Sequence, residues 1–130
     1  MSQKSISIFL IGGEYRLQDG LRALVASLPQ RPSVQIEKWG GEAILHAKEA
    51  CPDLIILNAD PPDISSLEIL QKIKLANRFT RFIILVDTIE ELTFALQAGA
   101  DSAILRGFSS NEFFGVMNKV ISEIIQETAL

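Results

Sequence analysis

Cysteine, histidine and long hydrophobic runs are scarce in this 130-residue sequence, and each scarcity excludes a class of protein. Cys51 is the single cysteine, so an internal disulfide is impossible, and no second cysteine or histidine stands at metal-ligand spacing from it. Apolar runs such as 6–11 and 82–86 have the length of β-strands and are too short to cross a membrane. Residues 1–5 lack the layout of a signal peptide. We therefore expect a protein of the reducing cytoplasm without a membrane segment.

Positive charge is also sparse. The chain has 12 Lys and Arg against 16 Asp and Glu, a formal net charge of -4, and its basic residues are scattered along the sequence. Direct nucleic-acid binding by this domain is therefore not expected. With 48% hydrophobic and 22% charged residues, the composition predicts one packed domain over residues 1–130, with its core in 5–125.

Strand-like apolar runs alternate five times with segments of helical period, which is typical of a parallel sheet crossed by helices. The predicted strands are 6–11, 34–39, 54–58, 81–86 and 102–106, and a first helix with its apolar stripe at Leu17, Leu21, Leu24 and Leu28 is expected to stop at Pro29. Capping-box patterns predict the starts of three later helices at Ser65 with Glu68, Thr88 with Glu91, and Ser109 with Glu112. The fold class is therefore α/β, a doubly wound (βα)5 sheet, and ligands of such sheets bind at the carboxyl ends of the strands.

Four stretches of the chain resemble a known family. ISIFLIGGEYRLQDGLRALVAS, PDLIILNADPPDISSLEIL and TRFIILV, followed by LQAGADSAILR, resemble the corresponding stretches of bacterial response-regulator receivers, the CheY-like domains of two-component (phosphorelay) systems. The likeness runs from about Ser5 to Ile125 and is closest to receivers that precede a LuxR-like helix-turn-helix output domain. It implies a three-layer, flavodoxin-like architecture with strand order 2-1-3-4-5.

The sequence departs from this family at the end of four strands. In the family an acidic pair ends the first strand, an aspartate the third, a Ser or Thr the fourth and a lysine the fifth. The resemblance places the acidic pair on Gly12 and Gly13, the phosphoacceptor on Asn58, the hydroxyl on Val86 and the lysine on Arg106. Leu85, the other residue that matches the hydroxyl position, has no hydroxyl either. A deliberate exchange at position 58 alone would leave the other departures unexplained, so we favour a natural degenerate receiver, or pseudo-receiver.

These departures remove the chemistry of phosphorylation together. An acyl phosphate needs a carboxylate oxygen as its nucleophile, and the amide oxygen of Asn58 is a much poorer one. Two glycines offer Mg²⁺ no side-chain ligand, so the charge on a transferring phosphoryl group is not offset. We therefore expect no catalytic residue, no metal and no cofactor. Arg106 is instead expected to form a structural tie with Asp60, Asp87 or Glu14.

Two alternatives place a ligand at the same sheet edge. In the first, a cation site would be formed at new positions by Glu14, Asp60, Asp63 and Asp87. In the second, backbone N–H groups of the turn at 12–13 would bind a phosphate. A flavodoxin-like enzyme or a nucleotide- or flavin-binding protein would use the edge in this way. The sequence, however, contains no glycine-rich phosphate-loop motif and no pair of nucleophile and base at credible spacing.

The resemblance also implies an interaction surface. Receivers of this kind commonly pair through the fourth helix, fifth strand and fifth helix, and the predicted surface here includes Leu92, Thr93, Gln97, Ala103 and Phe114. Ala103 stands where active receivers place a switching Tyr or Phe, so the aromatic readout of phosphorylation is missing too. We expect a homodimer or a protein partner, and regulation of transcription through a DNA-binding output domain outside this chain. A stand-alone adaptor is the alternative.

Three isolated side chains and the chain end are expected to have structural roles. His46 is interpreted as a solvated surface histidine, Cys51 as a small packing residue, and Trp39 as a half-buried residue at the end of the second strand. Residues 122–130 are interpreted as the start of a linker.

Overall fold

A computed structural model of the protein describes residues 5–12, 15–58 and 64–129. Strands and helices alternate in them as β1 Ser7–Ile11, α1 Tyr15–Ala26, β2 Ser33–Glu37, α2 Gly41–Ala50, β3 Leu54–Leu57, α3 Ile64–Ala76, β4 Arg81–Val86, α4 Ile89–Gln97, β5 Ser102–Leu105 and α5 Ser110–Ala129. The strands form one parallel sheet in the order β2-β1-β3-β4-β5. The predicted α/β class and strand order are confirmed.

The central strands consist almost entirely of apolar residues because helices cover both of their faces. Every residue of β3 is buried, and β4 is buried from Phe82 to Val86. The edge strands β2 and β5 are mostly half-exposed. Strands buried on both faces show continuous runs of Ile, Leu and Val without alternation, which is why such runs predicted the central strands correctly.

Successive side chains of the strands point into two cores on opposite faces of the sheet. The first core joins strand residues to α1 and α5 and includes Leu10, Ile56, Leu85, Leu21, Val25, Phe113, Met117 and Ile121. The second core lies under α2, α3 and α4 and includes Phe9, Ile55, Ile84, Ala47, Leu70, Ile73 and Ala95. Because all strands are parallel, their last residues meet at one edge of the sheet. We call this the carboxyl edge and the opposite one the amino edge.

Several predicted element ends are wrong by a few residues. α1 ends at Ala26, where the Ser27 hydroxyl donates to the Leu24 carbonyl (2.7 Å), so Leu28 lies beyond the helix although it is still buried in the first core. β2 ends at Glu37, which leaves Trp39 outside the strand and 41% exposed. Ser65 lies inside α3, which begins at Ile64, so the expected cap there is misplaced.

Two other local predictions are also wrong, and two caps are found. Cys51 is exposed and does not pack inward; it ends α2 in the left-handed backbone conformation (φ 47°). α5 continues to Ala129, so no linker begins at residue 122.

The capping box of Thr88 and Glu91 is present, and the Ser109 hydroxyl accepts from the backbone N–H of Glu112 (3.1 Å). In the three described ranges, no helix has both the length and the apolar content needed to span a bilayer.

Candidate functional site

Asn58 follows β3 at the carboxyl edge and is 2% exposed. Its backbone N–H donates to the carbonyl of Ile11 (2.8 Å), which fixes it beside the end of β1. Its side-chain Oδ1 accepts hydrogen bonds, but the buried Nδ2 has no partner among the described residues. A buried polar group left in this way costs about 1–3 kcal/mol. The side chain is therefore held through its oxygen only.

The guanidinium of Arg106 connects the ends of β3 and β4. Its Nη2 and Nε donate to Asn58 Oδ1 at 3.0 and 3.3 Å, and its Nη1 lies 2.8 Å from Asp87 Oδ1. The side chain is 18% exposed, and a planar fork of donors can bind two acceptors at once where a lysine offers a single nitrogen. Of the three acids expected to pair with Arg106, Asp87 does so. Glu14 and Asp60 lie outside the described residues.

Asp87 connects this cluster to the start of α4. Its backbone N–H donates to Glu91 Oε1 (3.1 Å), and the N–H of Thr88 donates to the same oxygen (3.0 Å). The backbone N–H of Glu91 in turn donates to the Thr88 hydroxyl (3.1 Å), which completes the capping box. The ion pair with Arg106 is therefore continuous with the hydrogen bonds that fix the first turn of α4.

Gly12 ends β1 with φ 85°, in the left-handed region. Its N–H donates to the carbonyl of Glu37 (3.0 Å), and its carbonyl accepts from Nε2 of Gln18 (2.7 Å). The left-handed conformation costs a residue with a side chain about 1–2 kcal/mol. An acidic residue at position 12 would therefore sit on a strained backbone in this turn.

Gln18 is the residue at this edge that sequence reasoning missed. It lies on α1, is 5% exposed, and its Nε2 also lies 3.4 Å from the Glu37 carbonyl. The available signal was its position: Gln18 stands three residues before Leu21 and seven before Val25, on the stripe that faces the sheet. A polar residue on a buried stripe indicates a specific hydrogen bond in the core.

The remaining family positions offer no polar group. Val86 is fully buried at the end of β4, in the second core, and its carbonyl accepts from the N–H of Arg106 (2.7 Å). Gly13 lies outside the described residues, as does Asp63. The site positions predicted from the sequence and described here, Gly12, Asn58, Val86 and Arg106, all lie at the carboxyl edge.

The described residues at this edge do not fit a Mg²⁺ ion. Mg²⁺ prefers anionic oxygens in octahedral array, but the oxygen of Asn58 belongs to an amide and already accepts from Arg106, and Gly12 has no side chain. Within the described ranges no three His, Cys, Asp or Glu side chains are grouped so that they could hold a metal ion. A divalent cation beside Asn58 would also face the positive guanidinium.

Comparison with known proteins agrees with this architecture. No protein-family model matches the chain. The chain is 25% identical to the nitrate/nitrite response regulator protein NarL of Escherichia coli (strain K12) over 132 residues, which cover 99% of this chain and 61% of that protein. The chain thus spans about three fifths of the length of this relative.

Solved structures give the same result for the fold. A CheY-like response regulator receiver domain protein from Methanospirillum hungatei JF-1 matches with a TM-score of 0.80 and 18% identity, over 95% of this chain and 99% of that one. The chain therefore has the CheY-like fold. A two-component response regulator of the LuxR family from Aurantimonas sp. SI85-9A1 matches this chain with a TM-score of 0.76 and 19% identity, over 98% of this chain and 100% of that one.

The predicted interaction surface lies on α4, β5 and α5. Thr93 and Gln97 are exposed, whereas Leu92, Ala103 and Phe114 are partly buried and pack against the two cores. The five residues therefore combine exposed polar groups with half-exposed apolar ones. That this surface binds a partner stays a prediction.

His46 is exposed, as the sequence suggested, but it is not merely solvated. Its Nδ1 lies 2.7 Å from Oε1 of Glu37, the last residue of β2, and that oxygen also accepts from Gln35 Nε2 (2.7 Å). The hydrogen bond and the charge of Glu37 raise the pKa of His46 above its usual 6.5. The pair connects α2 to the end of β2, whose backbone carbonyl accepts from Gly12.

Proposed function

We propose that this receiver domain works without phosphorylation. The proposal rests on the chemistry and the hydrogen bonds of Asn58 Oδ1, the oxygen at the position where the family has its phosphate-accepting aspartate. It is an amide oxygen and accepts two hydrogen bonds from Arg106. An oxygen of this kind is a poor nucleophile, and its environment supplies a fixed cation where a phosphorylated receiver needs an exchangeable metal.

We propose further that residues 1–130 form one receiver unit of a cytoplasmic two-component regulator. The likeness to NarL, a nitrate/nitrite response regulator, and to a LuxR-family response regulator supports a role in regulating transcription through an output domain outside this chain. The receiver itself would contribute protein contacts and no catalysis. Its contact surface would be α4, β5 and α5, around Leu92, Thr93, Gln97, Ala103 and Phe114.

The phosphorylation proposal is tested by incubating the domain with acetyl phosphate, or with beryllofluoride, in the presence of Mg²⁺. Intact-mass spectrometry should find no adduct, and backbone NMR should show no Mg²⁺-dependent shift at Gly12 or Asn58. A stable phospho-adduct or a tightly bound Mg²⁺ ion at this edge would overturn the proposal. A receiver with an intact acidic pair, treated in parallel, confirms that the phosphate donor is active.

The variant Asn58→Asp separates the missing nucleophile from the missing metal ligands. It supplies a carboxylate that Arg106 can bind through two N–H groups, so the variant should fold. We expect no adduct in this variant either, because Gly12 still offers no ligand to Mg²⁺. If Asn58→Asp accumulates phosphate while the unchanged protein does not, the amide alone silences the site and the argument from the metal ligands fails.

The contact surface is tested with Gln97→Arg, which changes an exposed side chain on α4 without disturbing either core. Light scattering of the unchanged domain should show association, and Gln97→Arg should weaken it. The matched control is Ala23→Arg, which introduces the same arginine at an exposed position of α1, outside this surface. A mass that stays monomeric at every concentration would refute self-association and leave a different protein as the partner.

A further inference from the structure

Charges of opposite sign are separated along two neighbouring parts of the chain. Residues 69–81 contain Lys72, Lys74, Arg78 and Arg81 and no acid, whereas residues 82–105 contain Asp87, Glu90, Glu91 and Asp101 and no basic residue. The overall scatter of basic residues hides this contrast. The two parts correspond to the end of α3 with the following turn, and to β4 through β5.

The end of α3 carries an exposed basic patch, defined here as Lys72, Leu75, Arg78 and Phe79. Leu75 is 88% exposed and Phe79 is 64% exposed, with the Arg78 guanidinium 5.2 Å from the Phe79 ring centroid. Within the described part of the chain, Lys72 and Arg78 form no ion pair. The neighbouring cations do: Lys74 pairs with Asp101 (3.0 Å), and Arg81 pairs with Asp101, Glu123 and Glu127.

The start of α4 carries an exposed acidic patch, defined here as Ile89, Glu90 and Phe94. Ile89 is 68% exposed and Phe94 is 51% exposed. Glu90 has no cationic partner in residues 5–12, 15–58 and 64–129, in contrast to Asp87, which pairs with Arg106, and Glu91, which caps the helix. Ile89, Leu75 and Phe79 are the three most exposed of the large apolar side chains described. Both patches thus combine exposed apolar side chains with charges of opposite sign that have no ion-pair partner among the described residues.

The two patches cannot neutralise each other within one molecule. The strands are parallel, so each helix begins near the carboxyl edge and ends near the amino edge. The acidic patch at the start of α4 therefore lies toward the carboxyl edge, and the basic patch at the end of α3 lies toward the amino edge. The two surfaces are opposite in charge, and both expose apolar side chains. They lie toward opposite edges of the sheet.

We propose that the basic patch of one molecule binds the acidic patch of a second copy. The contact is head-to-tail: it uses two different surfaces, so a bound pair leaves one basic patch and one acidic patch free at its two ends. Assembly therefore extends beyond a dimer as concentration rises. It shares helix α4 with the predicted pairing surface on α4, β5 and α5 but uses none of the five residues named for that surface, and it does not require that surface to form contacts.

Charge reversal tests the contact. Lys72→Glu with Arg78→Glu removes the basic patch, and Glu90→Lys removes the acidic one. Each variant should weaken the head-to-tail contact, and with it assembly beyond a dimer, at least about tenfold, because like charges then face each other across the contact. Sedimentation velocity over a concentration series at low salt measures this, and rising salt should weaken association of the unchanged protein.

Mixing the two variants distinguishes a lost contact from a damaged fold. Each retains one intact patch, so a one-to-one mixture should regain the salt-sensitive association that each variant alone has lost, whereas pairing through α4, β5 and α5 should be the same in both variants and in the mixture. Matched reversals elsewhere, Arg22→Glu with Lys48→Glu and Glu49→Lys, should leave association unchanged. Association of the unchanged protein that stops at a dimer, assembly beyond a dimer that persists in both reversed variants, or the absence of association up to about 1 mM protein overturns the proposal. None of these outcomes bears on the phosphorylation test, so the two proposals fail independently.

Discussion

The two edges of the sheet use polar side chains in opposite ways. At the amino edge, carboxylates hold strand ends together: Asp53 Oδ2 accepts from the N–H of Ser7 (2.9 Å), and Asp101 Oδ2 accepts from the N–H of Phe82 (2.7 Å). At the carboxyl edge, among the described residues, an amide and a guanidinium occupy the centre, and Asp87 pairs from the exposed rim. Acids are thus present where they stabilise strand ends and missing where a receiver would use them to transfer phosphate.

The largest expected effect is on the amino edge. Asp101→Ala removes the acceptor of the Phe82 N–H and the ion pairs with Lys74 and Arg81, and the Asp101 side chain is only 17% exposed. We expect a loss of about 3 kcal/mol in the free energy of unfolding, since hydrogen bonds to charged groups contribute about 1.5–3 kcal/mol each and do not add fully. Urea unfolding measures it. Asp19→Ala, at an exposed acid, is the matched control; a loss no larger than that of the control would contradict the structural role.

A somewhat smaller effect is expected at the centre of the carboxyl edge. Arg106→Ala leaves the buried side chain of Asn58 without any hydrogen-bond partner among the described residues and releases Asp87. This should cost about 2 kcal/mol, and Arg106→Lys about half as much because one ammonium replaces only part of the fork. Urea unfolding of both variants gives the values. If the lysine variant is as stable as the unchanged protein, the two-acceptor geometry does not contribute.

The contrast also explains what the sequence could predict. Strand runs such as 54–57 and 81–86 were visible because burial on both faces requires continuous apolar residues. The loss of a carboxylate at Asn58 was visible because a single residue type decides it. That Asp87 pairs with Arg106 was not, since Asp87, Asp60 and Glu14 are all near strand ends and only three-dimensional placement shows which acids reach the guanidinium. The cap predicted at Ser65 places the start of α3 too late, because a sequence pattern locates a helix end only to within one or two residues.

Gln18 offers a finer test of the carboxyl edge, because it holds the backbone of Gly12 and no charge is involved. Gln18→Ala removes the 2.7 Å hydrogen bond to the Gly12 carbonyl. We expect a loss of about 1 kcal/mol, the usual contribution of a neutral hydrogen bond, with the amide resonance of Gly12 shifting more than resonances at the amino edge. Equal shifts at both edges would mean that the variant perturbs the whole fold.

The smallest expected effect is the pH dependence of stability that the pair of Glu37 and His46 produces. Glu37 ends β2, and its backbone carbonyl accepts the hydrogen bond from Gly12 at the carboxyl edge. Glu37 raises the pKa of His46 above 6.5, so the folded protein holds this proton more tightly than the unfolded chain does. The resulting stabilisation is fully present below the unfolded pKa and is lost as the pH rises through the raised folded pKa. An NMR titration of the His46 ring should give a midpoint above 6.5, and Glu37→Gln should lower it. Since the ring is nearly half exposed, the effect on stability should be slight, and a titration unaffected by Glu37→Gln would mean that the 2.7 Å contact is not maintained in solution.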